Sequence, residues 1–129
     1  MGAEGEAVSK KANNYEVLQK ELIAILDLES IDDLPKIFRT GFPRALKIGI
    51  HADLAARYPN ADPETIGLWM RRYTGQRKYL MRLAFGTNRH DLDGNDVGAI
   101  SDDQRALALS TIKAREARAK AHAKGRSTT

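Results

Sequence analysis

Apolar residues fall into a helical rhythm in this chain only after its first dozen positions. Residues 2–11 carry no apolar period, so residues 1–13 are expected to be a disordered segment. Asn13 or Asn14 can then cap a helix in which Val17, Leu18, Leu22, Ile25 and Leu26 recur at helical spacing, predicted over residues 15 to 28. A second, short helix is expected behind Asp32 or Asp33, with Pro35 in its first turn, carrying Ile37 and Phe38. Thr40-Gly41-Phe42-Pro43 reads as a loop. Residues 45–50 are apolar apart from Lys47 and Gly49; they fit either a strand or an irregular lead-in to a helix at 53–58, which Pro59-Asn60 stops. Asp62-Pro63-Glu64 is a helix start: an Asp cap, Pro at the first helical position, an acidic residue in the first turn. Ile66, Trp69, Met70 and Tyr73 follow at i, i+3, i+4 and i+7, the spacing of a core stripe. Thr74-Gly75 breaks this helix, and residues 76–85 resume it with Tyr79, Leu80 and Leu83 on one face.

Beyond Phe85 the period changes. Asp93-Gly94 is the pair favoured in a two-residue hairpin turn, so residues 86–100 are expected to form a β-hairpin. Ser101-Asp102-Asp103-Gln104 matches a capping box, and a helix runs on through Leu107, Leu109 and Ile112. After Lys113 the only apolar residues are alanines, which cannot anchor a helix to a core. Residues 114–123 are therefore expected to be a frayed or solvent-projecting basic helix, and 124–129 a disordered tail. The pattern gives an α+β class, predominantly helical, with one domain over 14–113 and a basic extension over 114–129.

The length of 129 residues suits one domain. The chain has 0 Cys, which removes disulfides, thiol nucleophiles and Cys-based zinc sites and fits a reducing compartment. No apolar run approaches a membrane span, and the start of the chain is polar and acidic, without the apolar stretch of a secretion signal. A cytoplasmic location is the expectation. Charge changes the picture further. The net charge of +4 hides an alternation: residues 1–35 and 90–103 each carry a net of −5, whereas residues 36–89 carry +8 and residues 104–129 carry +6. Two such basic blocks suggest a polyanion partner; they also fit solvated helix faces.

Little in the chain points to catalysis or metal. Asp91, Asp93, Asn95 and Asp102 stand at positions 1, 3, 5 and 12 of a calcium loop, but Asp96 occupies the sixth position, where Gly is required, and Asp at the twelfth is too short. His51, His90 and His122 share no zinc spacing. No nucleophile elbow, P-loop or dinucleotide fingerprint occurs. The expectation is a protein that is not an enzyme, with no cofactor and no metal. The segment 71–89 stands apart. It interleaves Arg71, Arg72, Arg77, Lys78, Arg82 and Arg89 with Tyr73 and Tyr79, and the break at Gly75 places a helix N-terminus among them. Cations bind phosphate, aromatic rings stack unpaired bases, and a helix start offers free N–H groups. An amphipathic helix pair with both tyrosines in the core fits the same pattern.

Three motifs in this region resemble a known family. Ala45-Leu46-Lys47-Ile48-Gly49-Ile50 with Asp53-Leu54, then Tyr73-Thr74 with Lys78-Tyr79-Leu80, then Arg89 with Asp91-Leu92-Asp93-Gly94 and Gly98, resemble in order the signatures of the ProQ/FinO RNA-binding domain. They cover residues 43–100. The resemblance implies a single ProQ/FinO-like domain, mainly helical with short β-hairpins, whose concave face binds RNA. It implies an RNA chaperone of bacterial small-RNA regulation that favours terminator-type hairpins with a single-stranded 3′ tail. Lys47, Arg71, Tyr79 and Arg89 fall on family binding positions. Lys78 stands where the family has Arg, keeping charge but losing the planar fork. Ala45 replaces a signature Pro, and Pro63 and Gly67 stand where the best-known member has Lys and Arg.

Together these readings assign phosphate contacts to Lys47, Arg71, Arg72, Arg77 and Lys78, a helix end to Thr74, Gly75 and Gln76, and a 3′-end pocket to Tyr79 and Arg89. The expected partner of this monomer is structured RNA, with no membrane involved. The rival reading is a helical protein–protein adaptor using the Ile66/Trp69/Tyr73 stripe or the basic terminal helix.

Overall fold

The computed structural model describes residues 14–127, with side chains to residue 123. The disorder expected of residues 1–13, and of 128 and 129 in the tail, lies outside the described residues. Five helices and one two-stranded antiparallel sheet follow in chain order: α1 (Asn14–Ile25), α2 (Ile50–Arg57), α3 (Pro63–Thr74), α4 (Arg77–Phe85), β1 (Asn88–His90), β2 (Asp96–Ala99) and α5 (Asp102–Ser127). Two single 3-10 turns, Ile31–Asp33 and Lys36–Phe38, stand where one short helix is expected. Pro35 lacks an N–H and precedes the second turn, so it separates the two.

The core forms where the apolar stripes of α1 and α3 meet. Leu18, Leu22, Ile66 and Trp69 are buried, and the Trp69 indole N–H donates to the Leu18 carbonyl at 2.8 Å. Tyr15, Phe38, Trp69, Tyr73 and Tyr79 form one aromatic cluster, with centroids 5.1–5.9 Å apart. A smaller core of Ala84, Ala108 and Ile112, with Leu80 and Leu83, joins α4 to α5.

Several local ends differ from the sequence reading. α1 stops at Ile25 because Asp27 adopts a left-handed φ of 57°. The Leu28 N–H then reaches the Ile23 carbonyl and the Asp27 N–H the Ala24 carbonyl, the two bonds of a Schellman end. α2 starts at Ile50, earlier than 53, because Gly49 at φ 83° turns the chain into the helix. The stretch before it is not a full strand: Leu46 makes a single parallel bridge to His90. The hairpin loop is longer than two residues, since the Asp91 carboxylate accepts the N–H groups of both Asp93 and Asn95. Only one hairpin occurs among the described residues. α5 continues to Ser127, so 124–127 are helical rather than tail. Residues 114–123 are all exposed, as expected of a solvent-projecting helix, but two of its first residues make polar contacts: Arg115 donates to the Gly75 carbonyl at 2.7 Å, and Glu116 pairs with Arg77 at 2.7 Å.

Candidate nucleic-acid interface

The break between α3 and α4 is built by its own residues. The Gly75 N–H closes α3 on the Arg71 carbonyl at 3.0 Å, the Thr74 hydroxyl donates to Met70 at 3.0 Å, and the Gln76 amide donates to Arg72 at 3.2 Å. A Cβ on residue 75 would sit 3.1 Å from the Arg71 carbonyl oxygen, so the turn is tight. At the start of α4, the Tyr79 N–H donates to the Tyr15 hydroxyl and the Leu80 N–H to the Gln76 carbonyl. The N–H groups of Arg77 and Lys78 have no partner among the described residues. They remain for an anion at the positive end of the helix. Arg71 and Arg72 precede this break in the chain, Arg77 and Lys78 follow it, and all four are exposed. Arg72 is paired with Glu21 at 3.0 Å and Arg77 with Glu116; Arg71 and Lys78 have no carboxylate partner among the described residues. Exposed pairs of this kind hold their members weakly, each worth at most about 1 kcal/mol.

A second group forms around the Leu46 peptide. The Lys47 N–H donates to the His90 carbonyl at 2.7 Å, and the His90 N–H to the Ala45 carbonyl at 2.8 Å. The Leu46 N–H donates to the Tyr79 hydroxyl at 3.1 Å, and Arg89 donates to the Leu46 carbonyl at 2.7 Å. Arg89 also lies against the Tyr79 hydroxyl. Burial raises the pKa of this phenol, and the Leu46 N–H and the Arg89 cation oppose the rise without reversing it. Tyr79 and Arg89, 10 residues apart in sequence, thus meet at one peptide. Lys47 projects beside them and pairs with Asp53 at 2.7 Å.

The ProQ/FINO family profile matches residues 18–125. This chain belongs to the ProQ/FINO family. Among curated relatives, the RNA chaperone ProQ of Vibrio vulnificus is 32% identical over 109 residues, covering 81% of this chain and 51% of that protein. The RNA chaperone ProQ of Shewanella piezotolerans is 36% identical over 84 residues, covering 63% of this chain and 40% of that protein. The chain thus spans about half the length, or less, of these relatives. A crystal structure of a FinO-like RNA chaperone from Neisseria meningitidis matches 73% of this chain and 88% of its own, with a TM-score of 0.52 and 26% identity.

As a ProQ/FINO member the chain falls in a family of RNA chaperones and not of enzymes. Its predicted site residues divide into two groups: Arg71, Arg72, Thr74, Gly75, Gln76, Arg77 and Lys78 at the helix break, and Lys47, Tyr79 and Arg89 at the Leu46 clamp. Lys78 and Tyr79 are consecutive and join the groups. Tyr73 and Tyr79 are both buried, so neither offers a face to a base. The Ile66/Trp69/Tyr73 stripe of the adaptor reading is core and offers no contact surface. The Arg89 guanidinium bonds the Leu46 carbonyl. Among the described residues no cluster of His, Asp or Glu is placed to hold a metal, and no helix is long and apolar enough to cross a membrane. Sequence reasoning missed Asp53 as the partner of Lys47 and Arg115 as the ligand of the Gly75 carbonyl. The first had a signal, a carboxylate six positions on. The second had none, since a carbonyl oxygen carries no sequence mark.

Proposed function

We propose that this chain is an RNA-binding chaperone of the bacterial cytoplasm, acting as a monomer in small-RNA-based post-transcriptional regulation. It recognises structured RNA, above all a terminator-type hairpin with a single-stranded 3′ tail. Residues 14–113 form the RNA-binding body and 114–129 a basic extension. The carrying observation is the set of exposed cations, Arg71, Arg72, Arg77 and Lys78, on either side of a break that leaves two N–H groups unpartnered at the start of α4. Phosphates meet these cations and this helix end; Lys47 adds a further contact. The Leu46 clamp, with Arg89 against the Tyr79 hydroxyl, frames the pocket for the 3′ end, and buried Tyr79 serves as its floor and not as a stacking face.

Salt dependence tests the phosphate assignment. If Lys47, Arg72 and Arg77 release their carboxylates and all five cations neutralise phosphates, log K falls against log salt with a slope of roughly −3.5 to −4.5. If only the unpaired Arg71 and Lys78 act, the slope is roughly −1.4 to −1.8. A slope near zero overturns the reading. The pocket is tested at the RNA terminus. A terminal phosphate adds about −1.5 to −2 charges, by analogy with phosphorylated side chains. A mere basic patch would bind it better; a pocket shaped around ribose hydroxyls binds it worse. We expect the 3′-phosphate form of one hairpin to bind less tightly than the 3′-hydroxyl form by roughly 1–3 kcal/mol, the cost of leaving buried polar groups unpaired. Arg89→Ala should shrink that difference. Equal affinities in filter binding at one salt concentration would leave only a non-specific basic surface.

A further inference from the structure

Beside the helix break and the Leu46 clamp, one patch joins exposed aromatic rings to cations. Phe42 and Phe85 are 65% and 66% exposed. With Pro43, Lys78, Met81 and Arg82 they line an open cleft of about 430 Å³. A second cleft of about 440 Å³ shares Phe42, Pro43 and Arg82 and extends past Arg44 towards β1. No Asp or Glu lines either cleft, although the chain carries 17 of them.

Single exposed apolar side chains are common on any surface. These two rings differ because the backbone under each is fixed. Buried Gln19 donates to the Phe38 carbonyl at 2.8 Å and to the Thr40 carbonyl at 2.9 Å. The Thr40 hydroxyl donates to the Phe42 carbonyl at 2.7 Å, and the Arg82 Nε to the Pro43 carbonyl at 3.2 Å. On the other side, Phe85 ends α4, where the Gly86 N–H closes on Arg82 at 2.7 Å and Arg105 holds the Gly86 carbonyl at 2.9 Å. A rigid backbone that presents bare rings loses little entropy when a ligand covers them.

We propose that Phe42 and Phe85 form a stacking platform for unpaired nucleobases of a bound RNA strand, with Lys78, Arg82 and Arg44 meeting its phosphates. The proposal rests on the reading of this chain as an RNA binder. A base is planar and apolar on its faces and carries a phosphate on its flank, which matches aromatic rings edged only by cations. An apolar protein helix docking here would have to bring its own carboxylates to meet three cations. Lys78 belongs both to the helix break and to this cleft, so a strand leaving the break passes directly onto the rings.

The test compares wild type with the double variant Phe42→Ala/Phe85→Ala. The probes are one hairpin with a single-stranded extension, on either end and carrying 2-aminopurine, and the same hairpin blunt. Both phenylalanines are exposed, so thermal melting should be preserved. We expect the double variant to bind the extended hairpins about tenfold more weakly or worse, in the range for losing one or two stacked bases. Binding of the blunt hairpin should not change. Quenching of 2-aminopurine by wild type should disappear in the variant. Phe42→Trp/Phe85→Trp should keep the preference for extended RNA, and Phe42→Leu/Phe85→Leu should lose it. Wild type that binds hairpins while the alanine variant keeps the full preference for extended ones overturns the platform alone. Wild type that binds no RNA overturns the reading beneath it. A wild-type dimer that the alanine variant dissolves assigns the patch to a second copy and also overturns the platform.

Discussion

Tyr79 serves two peptides with one residue: its hydroxyl accepts the Leu46 N–H, and its own N–H donates to the Tyr15 hydroxyl. Tyr79→Phe keeps the ring and leaves the Leu46 N–H unpaired in a buried place. That should cost roughly 1–3 kcal/mol, read as a lower midpoint in urea unfolding with unchanged m. A change near zero would mean that water replaces the hydroxyl. Arg71→Ala and Lys78→Ala should instead stay within about 0.5 kcal/mol of wild type, since both side chains are exposed and unpaired. Each should weaken RNA binding. A large fall in melting temperature for either would place it in the fold and not at the RNA. The sequence pointed to the segments that meet at the helix break and the Leu46 peptide, but it could not decide whether Tyr73 and Tyr79 face in or out, because both fit a helical stripe and a stacking ladder equally.

Helices with paired start and stop signals were the most legible elements. Asp62 caps α3, its carboxylate accepting the Thr65 N–H at 3.2 Å and the hydroxyl at 2.7 Å, bonds that hold its pKa below the ordinary value. The end of α1 and the start of α2 were harder to read, because both turn on a left-handed residue whose φ leaves no periodic trace. At the end of α1 that residue is Asp27, which carries a Cβ in a region that favours Gly and a negative charge at a helix C-terminus. Asp27→Gly should therefore stabilise the protein by roughly 1 kcal/mol, seen as a higher melting temperature; a lower one would disprove the left-handed turn. Gly86 behaves oppositely. A Cβ there would stand 2.3 Å from the Arg82 carbonyl oxygen. Gly86→Ala must open the end of α4 and should lower stability by more than about 1 kcal/mol. The polar anchoring of α5 was invisible in an apolar pattern. Deleting residues from 117 onwards should spare it, whereas deleting from 114 removes Arg115 and Glu116 and should cost up to about 1 kcal/mol. Equal melting of the two truncations would show those contacts to be idle.

Across the whole molecule, two kinds of buried and surface chemistry divide the work: cations gather on the outside of α3 and α4, and phenols gather within. The charge blocks already indicated the outer half, since residues 36–89 hold all the cations of both site groups. The inner half yields a prediction about pH. Burial raises the phenol of Tyr15 to about 12 and pushes those of Tyr73 and Tyr79 up as well. In the unfolded chain these groups ionise near 10. Above that pH the unfolded state gives up protons that the folded state retains, so unfolding is favoured. Stability from the three groups is complete below about pH 10 and is lost as pH rises through the folded values. Just above pH 10, while all three are still protonated in the folded state, they give a slope of up to roughly −4 kcal/mol per pH unit, which flattens as each folded value is passed. A domain with roughly 5–8 kcal/mol of stability should then lose most of it in the strongly alkaline range. Tyrosinate absorbance and helical circular dichroism should change together in one cooperative step. Gradual ionisation of all tyrosines near pH 10 with the helix signal intact would mean that the aromatic cluster is open to water, and the floor of the proposed 3′ pocket with it.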